Sequence, residues 1–176
     1  MDRPIENSFT VIEGKVYAGE YPGDPVDARP KIGRFLKFGI THFIDLTEEG
    51  ELEPYAGELP FACTHVRYPI PDLSVPADCR RLENILQFID DIGTDPSGNK
   101  VYIHCRGGVG RTGTVVACLF EYLGDDFDTA LARLRRNFRQ CPKSLTRPTP
   151  DTPAQLSFIR RFASRLTRNL STQSSK

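Results

Sequence analysis

No stretch of this sequence approaches 18 uninterrupted apolar residues, so nothing in it predicts a membrane-spanning helix. The opening residues, Met1-Asp2-Arg3-Pro4, lack an apolar signal segment. Cysteine is sparse and scattered, at Cys63, Cys79, Cys105, Cys118 and Cys141. An odd number argues against a disulfide framework, and no pair has metal-ligand spacing; a reducing, cytoplasmic setting is expected. There is no internal repeat. Net charge is also missing, with 23 Lys+Arg against 23 Asp+Glu giving +0. The balance is uneven, however. From Thr129 to Lys176 there are eleven bases and one acid, Asp151, giving +10, and residues 1–128 carry the opposite −10. Two accounts stay open: solvated helix faces, or a basic rim that steers acidic substrates.

What is present fits one ordinary soluble domain of 176 residues, 39% hydrophobic and 26% charged. Alternation over residues 9–18 predicts a hairpin. Ile32, Phe35 and Leu36 mark a helix face stopped by Gly39, and Thr41–Leu46 reads as a short buried strand. Thr47–Pro60 is a loop with five glutamates, Glu48, Glu49, Glu51, Glu53 and Glu58, long enough to suggest a function. A further strand is predicted over Phe61–Tyr68, followed by the stiff loop Pro69–Pro76. Leu82, Ile85, Leu86, Ile89 and Ile92 recur at helical spacing. Lys100–His104 predicts a buried strand and Thr114–Phe120 a buried helix that ends at Gly124. Ala130, Leu131, Leu134 and Phe138 mark another helix, and Leu156, Ile159, Phe162 and Leu166 the last. The domain is therefore placed at 1–166, with 167–176 a flexible tail by its Ser, Thr, Asn and Gln content. Strands alternating with helices predict a three-layer α/β sandwich around a mainly parallel sheet.

The densest signal is the turn from the predicted strand into the buried helix, His104-Cys105-Arg106-Gly107-Gly108-Val109-Gly110-Arg111-Thr112. The first amides of a helix have no internal partner, and its dipole is positive at that end, so such a turn cradles anions. A cysteine placed there is favoured as thiolate, the form that attacks. Arg111 can grip two phosphate oxygens at once with its planar fork. The combination predicts attack of sulfur on phosphorus. A Walker A loop is excluded, because its Gly-Lys-Ser/Thr end is missing.

At His104-Cys105-x-x-Gly108-x-x-Arg111-Thr112-Gly113 the sequence resembles the protein tyrosine phosphatase superfamily, in its compact dual-specificity branch with kinase-associated and bacterial relatives. The resemblance covers most of residues 9–166 and implies the cysteine-based phosphatase fold. It also implies a nucleophile at Cys105, a phosphate-binding arginine at Arg111, a thiolate-stabilising hydroxyl at Thr112, and a loop-ordering role for His104. Phosphate would meet Arg106, Gly107, Gly108, Val109, Gly110 and Arg111, with Arg106 and Val109 offering the side chains nearest the pocket.

A phosphate ester leaves poorly unless its oxygen is protonated, so a general acid is needed. Asp72, on the proline-rich loop, is the choice, with Asp45 at a strand end as the rival. Gln155 has two readings. Thr152-Pro153-Ala154-Gln155 is a capping box with proline at the first helical position, and it also resembles the segment where some relatives keep a water-positioning glutamine. The expected activity is hydrolysis of phosphotyrosine, with phosphoserine or phosphothreonine also open, through a phosphocysteine. The loop has Arg106 but no lysine, which favours phosphoprotein over phosphoinositide. A phosphoinositide or other small-molecule phosphatase, or a non-catalytic phospho-binding module, are the alternatives. No metal and no cofactor are expected. The expected partners are a phosphorylated protein or peptide and phosphate- or sulfate-like anions in the loop, not nucleic acid or membrane, with the chain a monomer.

Overall fold

The computed structural model describes the backbone of residues 2–24 and 26–173 and side chains as far as Leu166. In chain order the regular elements are β1 (Ser8–Ile12), β2 (Val16–Gly19), α1 (Arg29–Phe38), β3 (His42–Asp45), β4 (Thr64–Arg67), α2 (Cys79–Thr94), β5 (Val101–His104), α3 (Gly110–Tyr122), α4 (Phe127–Phe138) and α5 (Pro153–Gln173). Short 3-10 turns lie at Ala56–Glu58 and Pro142–Leu145.

The strands form one sheet in the order β1-β2-β5-β3-β4. The β1–β2 hairpin is antiparallel, and every other neighbouring pair is parallel. Side chains alternate between two cores, as the pleat requires. Tyr17, Phe43 and Tyr102 face a smaller aromatic core with Ile32 and Phe35 of α1. Val16, Ala18, Ile44, Val101 and Ile103 face a larger core built with α2, α3, α4 and α5. The expected three-layer α/β sandwich is therefore the observed one.

The apolar stripe of α2 buries all five residues that its spacing singled out, each worth about 1.5–3 kcal/mol of transfer free energy. The helix begins where the Asp78 carboxylate accepts from the Arg80 amide. α3 is buried along almost its whole length, which explains why its sequence lacks a polar face. Two boundaries differ from expectation. β4 starts at Thr64, and Phe61 is fully exposed, because Pro60 opens a turn whose carbonyl accepts from Cys63 N at 2.9 Å. At the other end, the backbone of α5 stays helical to Gln173, into the stretch that composition assigns to a tail; residues 174–176 lie outside the described residues.

Candidate active site

β5 is the central strand, and the loop that follows it opens at the carboxyl ends of the parallel strands, where α/β sheets hold their ligands. The loop is shaped from outside. Its carbonyls are taken by groups beyond it: His104 O by Leu46 N at 2.8 Å, Arg106 O by Tyr21 N at 3.2 Å, Gly107 O by Lys143 Nζ at 2.9 Å and Val109 O by Thr149 Oγ1 at 2.9 Å. With these carbonyls bonded outside the loop, the Gly108 amide is free to turn inward toward Cys105. Val109, which precedes α3, supplies no side-chain cap, so the first amides of that helix are open. α2 and α4, by contrast, are capped by Asp78 and Asp126. Gly108 is in the left-handed region at φ 73, and a Cβ there would stand 2.2 Å from the carbonyl carbon of Gly19, so this turn admits only glycine.

Cys105 sits at the bottom, 3% exposed, and its Sγ accepts from the Gly108 amide at 3.3 Å. Arg111, on the first turn of α3, is 2% exposed. Its guanidinium is held fork-on-fork by Glu51, with Nη1 to Oε2 and Nη2 to Oε1 both 2.7 Å, and Nη1 also donates to the Ile70 carbonyl at 3.0 Å. Nε is buried and has no partner. Burial works against the Arg111 charge, but the Glu51 bond and the nearby Cys105 and Asp72 outweigh it and raise its pKa. The bond to Arg111 in turn holds the Glu51 carboxyl below the usual range.

Asp72 Oδ1 lies 3.0 Å from Arg111 Nη2, with the side chain 56% exposed. The residue after it, Leu73, is held in the left-handed region at φ 58, a conformation a branched side chain seldom adopts. Asp45 sits differently. It is fully buried, with His65 at 3.1 Å and Arg67 at 3.2 Å. Burial pushes its carboxyl up, but hydrogen bonds from His65 and Thr47 and the nearby His104 win and hold it well below the usual range. A buried, strongly ionised carboxylate has no proton to give.

His104 pairs across the sheet with Asp45 and is fully buried. Its Nε2 is 2.6 Å from the Tyr55 hydroxyl, and burial brings its pKa down to about 4. Thr112 is fully buried with its hydroxyl unpartnered. Val109 is 1% exposed and packs in the larger core, as Cys105 does, and Arg106 is the exposed side chain of the loop.

Gln155 realises the capping box. Its Oε1 accepts from Asp151 N at 3.0 Å and Thr152 N at 3.2 Å, while its own amide N–H donates to Thr152 Oγ1 at 3.2 Å. Its Nε2 donates to the Ser74 carbonyl at 3.1 Å and lies against Gly110. Sequence reasoning missed Glu51, Tyr55, Lys143 and Thr149. For Glu51 and Tyr55 the signal was the long acidic loop; Lys143 and Thr149 are distant in sequence and carry no local pattern.

No helix among the described residues is long and apolar enough to cross a membrane. A family model described as "Swiss Army Knife protein, DSP-PTPase phosphatase domain" matches residues 10–174. "Putative tyrosine phosphatase 067L" of Invertebrate iridescent virus 3 is 29% identical over 164 residues, covering 88% of this chain and 64% of that protein. The fold is similar to that of Tk-PTP in its active form, with TM-score 0.73, 24% identity, and 90% of this chain and 97% of that one covered. It is also similar to kinase associated phosphatase, crystallised with its catalytic site cysteine changed to serine, at TM-score 0.66 and 20% identity over 86% of this chain and 87% of that one. The chain belongs to the DSP-PTPase phosphatase domains, a compact dual-specificity-like branch of the protein tyrosine phosphatase superfamily.

Proposed function

We propose that this chain hydrolyses phosphotyrosine in proteins through a covalent phosphocysteine. The observation that carries the reading is the geometry of Arg111: Glu51 fixes the outer edge of its fork, leaving the buried Nε unpaired beside the cysteine loop. The open Nε–H and the loop amides would hold the phosphate oxygens, with positive charge supplied by Arg111 and the helix N-terminus rather than by a metal. Sγ of Cys105 attacks phosphorus as the bond to the tyrosine oxygen breaks, and Asp72 delivers a proton to that oxygen. In the second half Asp72 takes a proton from water, the water oxygen attacks phosphorus, and the thiolate leaves with the Thr112 hydroxyl to receive it. His104 orders the loop through Tyr55.

Depth supports tyrosine. Cys105 and Arg111 are 3% and 2% exposed, so the reacting sulfur is recessed from the surface. A tyrosine ring reaches it more readily than a serine or threonine side chain. The chain is read as acting alone, as a monomer in the cytoplasm.

The test is Cys105→Ser against a phosphotyrosine peptide. Turnover should vanish while binding persists, because Arg111 and the amides remain. Full activity in this variant would overturn the mechanism. A wild-type preference for phosphoinositide over peptide would overturn the substrate reading and leave the mechanism standing.

A further inference from the structure

Of the groups that take the carbonyls of the catalytic loop from outside, one carries a charge. Leu46 N, Tyr21 N and Thr149 Oγ1 are neutral, whereas Lys143 Nζ, on Gly107 O at 2.9 Å, is an ammonium. Lys143 stands in the short turn Pro142–Leu145, where its own carbonyl accepts from Thr146 N at 3.1 Å and Arg147 N at 2.9 Å. Its side chain is only 26% exposed, and the ammonium also donates to Glu20 Oε2 at 2.8 Å. Glu20, where the chain leaves β2, is itself held. Lys31 Nζ lies 3.0 Å from its Oε1, Asn7 Nδ2 donates to its Oε2 at 3.0 Å, and its carbonyl accepts from the Tyr102 hydroxyl at 2.9 Å. Burial works against the Glu20 charge, but Lys143 and Lys31 outweigh it and hold the carboxyl below the usual range. Lys143 therefore reaches the loop from a fixed seat of opposite charge.

The carbonyl that Lys143 holds belongs to the same peptide unit as the amide that faces the nucleophile. Gly107 O and the Gly108 N–H lie on opposite edges of one planar trans peptide, so drawing the oxygen outward points the N–H inward. That N–H donates to Cys105 Sγ at 3.3 Å. Glycine stands on both sides of this peptide, and neither residue has a Cβ to restrict its turning. Turned over, the plane would set a carbonyl oxygen against the sulfur and remove one donor from the anion cradle.

We propose that Lys143 is a positioning residue for the phosphatase reaction: seated on Glu20, it fixes the Gly107–Gly108 peptide so that the Gly108 amide faces Cys105 Sγ. It acts through the peptide, not by touching sulfur or substrate. The role rests on the cysteine chemistry proposed above, in which the same amide serves the thiolate first and a phosphate oxygen afterwards.

Lys143→Met tests this. Methionine keeps an apolar stem and removes the donor, while Glu20 retains Lys31 and Asn7. Alkylation of Cys105 by iodoacetamide, followed by peptide mass spectrometry, needs no turnover. At pH 6.5 the variant should react about tenfold more slowly, since a hydrogen bond to a charged group is lost. At pH 10, where thiols are ionised in both proteins, it should react no slower than the wild type. With p-nitrophenyl phosphate, kcat should fall by roughly 10²-fold, the scale of one lost anion donor. Both losses should persist at 1 M salt, where the Debye length is about 3 Å. Wild-type alkylation at pH 6.5 would overturn the proposal. Equal slowing at both pH values would mark a merely disordered site and overturn it too. Losses that vanish at 1 M salt would make Lys143 a steering charge and do the same. A wild type that turns over no phosphate ester would overturn the phosphatase reading, and alkylation alone would then decide the orientation of the peptide.

Discussion

Gln155 Nε2 donates to the carbonyl of Ser74 at 3.1 Å, tying the start of α5 to the loop that carries Asp72 two residues earlier. The same amide oxygen caps α5, so both ends of the Gln155 side chain are engaged. Gln155→Leu should therefore loosen the acid loop. The expected result is a lower kcat on phenyl esters of ordinary leaving-group pKa, a smaller loss on very acidic leaving groups, and no build-up of phosphocysteine. A burst of product with accumulated phosphocysteine would instead mark a glutamine that positions the hydrolytic water.

Asp72→Asn removes the proton and nearly keeps the shape. A single positioned acid contributes ~10²–10⁴-fold, so kcat should fall by about that factor with an ordinary ester and less with a very acidic leaving group. Phosphopeptide affinity should hold. Asp45→Asn should not reproduce this pattern, since Asp45 is fully buried against His65 and Arg67. Steady-state kinetics over a leaving-group series checks both.

Glu51 is the clamp on Arg111, with two contacts of 2.7 Å. Glu51→Ala leaves the charge of Arg111 in place but frees its orientation. Misplacing a positioning group by about 1 Å can cost ~10²-fold, so kcat/KM should drop on that scale, while Glu51→Asp, with a shorter reach, should not restore it. Phosphopeptide turnover together with vanadate affinity reads the effect.

Two buried groups give stability a pH dependence of opposite sign. The His104 pKa is lowered by burial to about 4, so between 6.5 and 4 the unfolded chain binds a proton that the folded one refuses, and this group's contribution is lost as pH falls through that window. The Glu121 pKa is raised by burial to about 8, so between 4.5 and 8 the folded chain holds the extra proton, and stability falls as pH rises. Glu121→Gln should melt higher than the wild type at pH 8.5 and close to it at pH 4.5. Equal melting temperatures at both pH values would contradict the burial of an uncompensated carboxyl.

Of the basic C-terminal region, Lys143 and Arg147 have contacts at the catalytic loop: Lys143 on Gly107 O, and Arg147 Nη1 3.3 Å from where a Gly107 Cβ would stand. If that region steers acidic substrates, Arg147→Glu should lower kcat/KM for acidic phosphopeptides at low salt. The difference should fade near 1 M salt, where the Debye length is about 3 Å. An unchanged kcat/KM at low salt would return these residues to a solvated surface.

The local chemistry of the catalytic loop was legible in the sequence because it is local. A strand, a glycine turn and an uncapped helix start lie within a dozen residues, and the cradle needs nothing else to be recognised. The α2 stripe was legible for the same reason, its period of 3.6 residues being a property of one segment. What orients the loop comes from far away in sequence. Glu51 reaches Arg111 and Tyr55 reaches His104 because β3 and β5 lie side by side in parallel register, which brings the loop after one to the loop after the other. Val109 is packed into the larger core, and no single-segment pattern reports that. Asp72 and Asp45 are alike as letters, each at the end of a strand or in the loop after it. Burial separates them: one is left half-open beside Arg111, the other is sealed between His65 and Arg67, and only the packed sheet decides which carboxyl stays open to solvent.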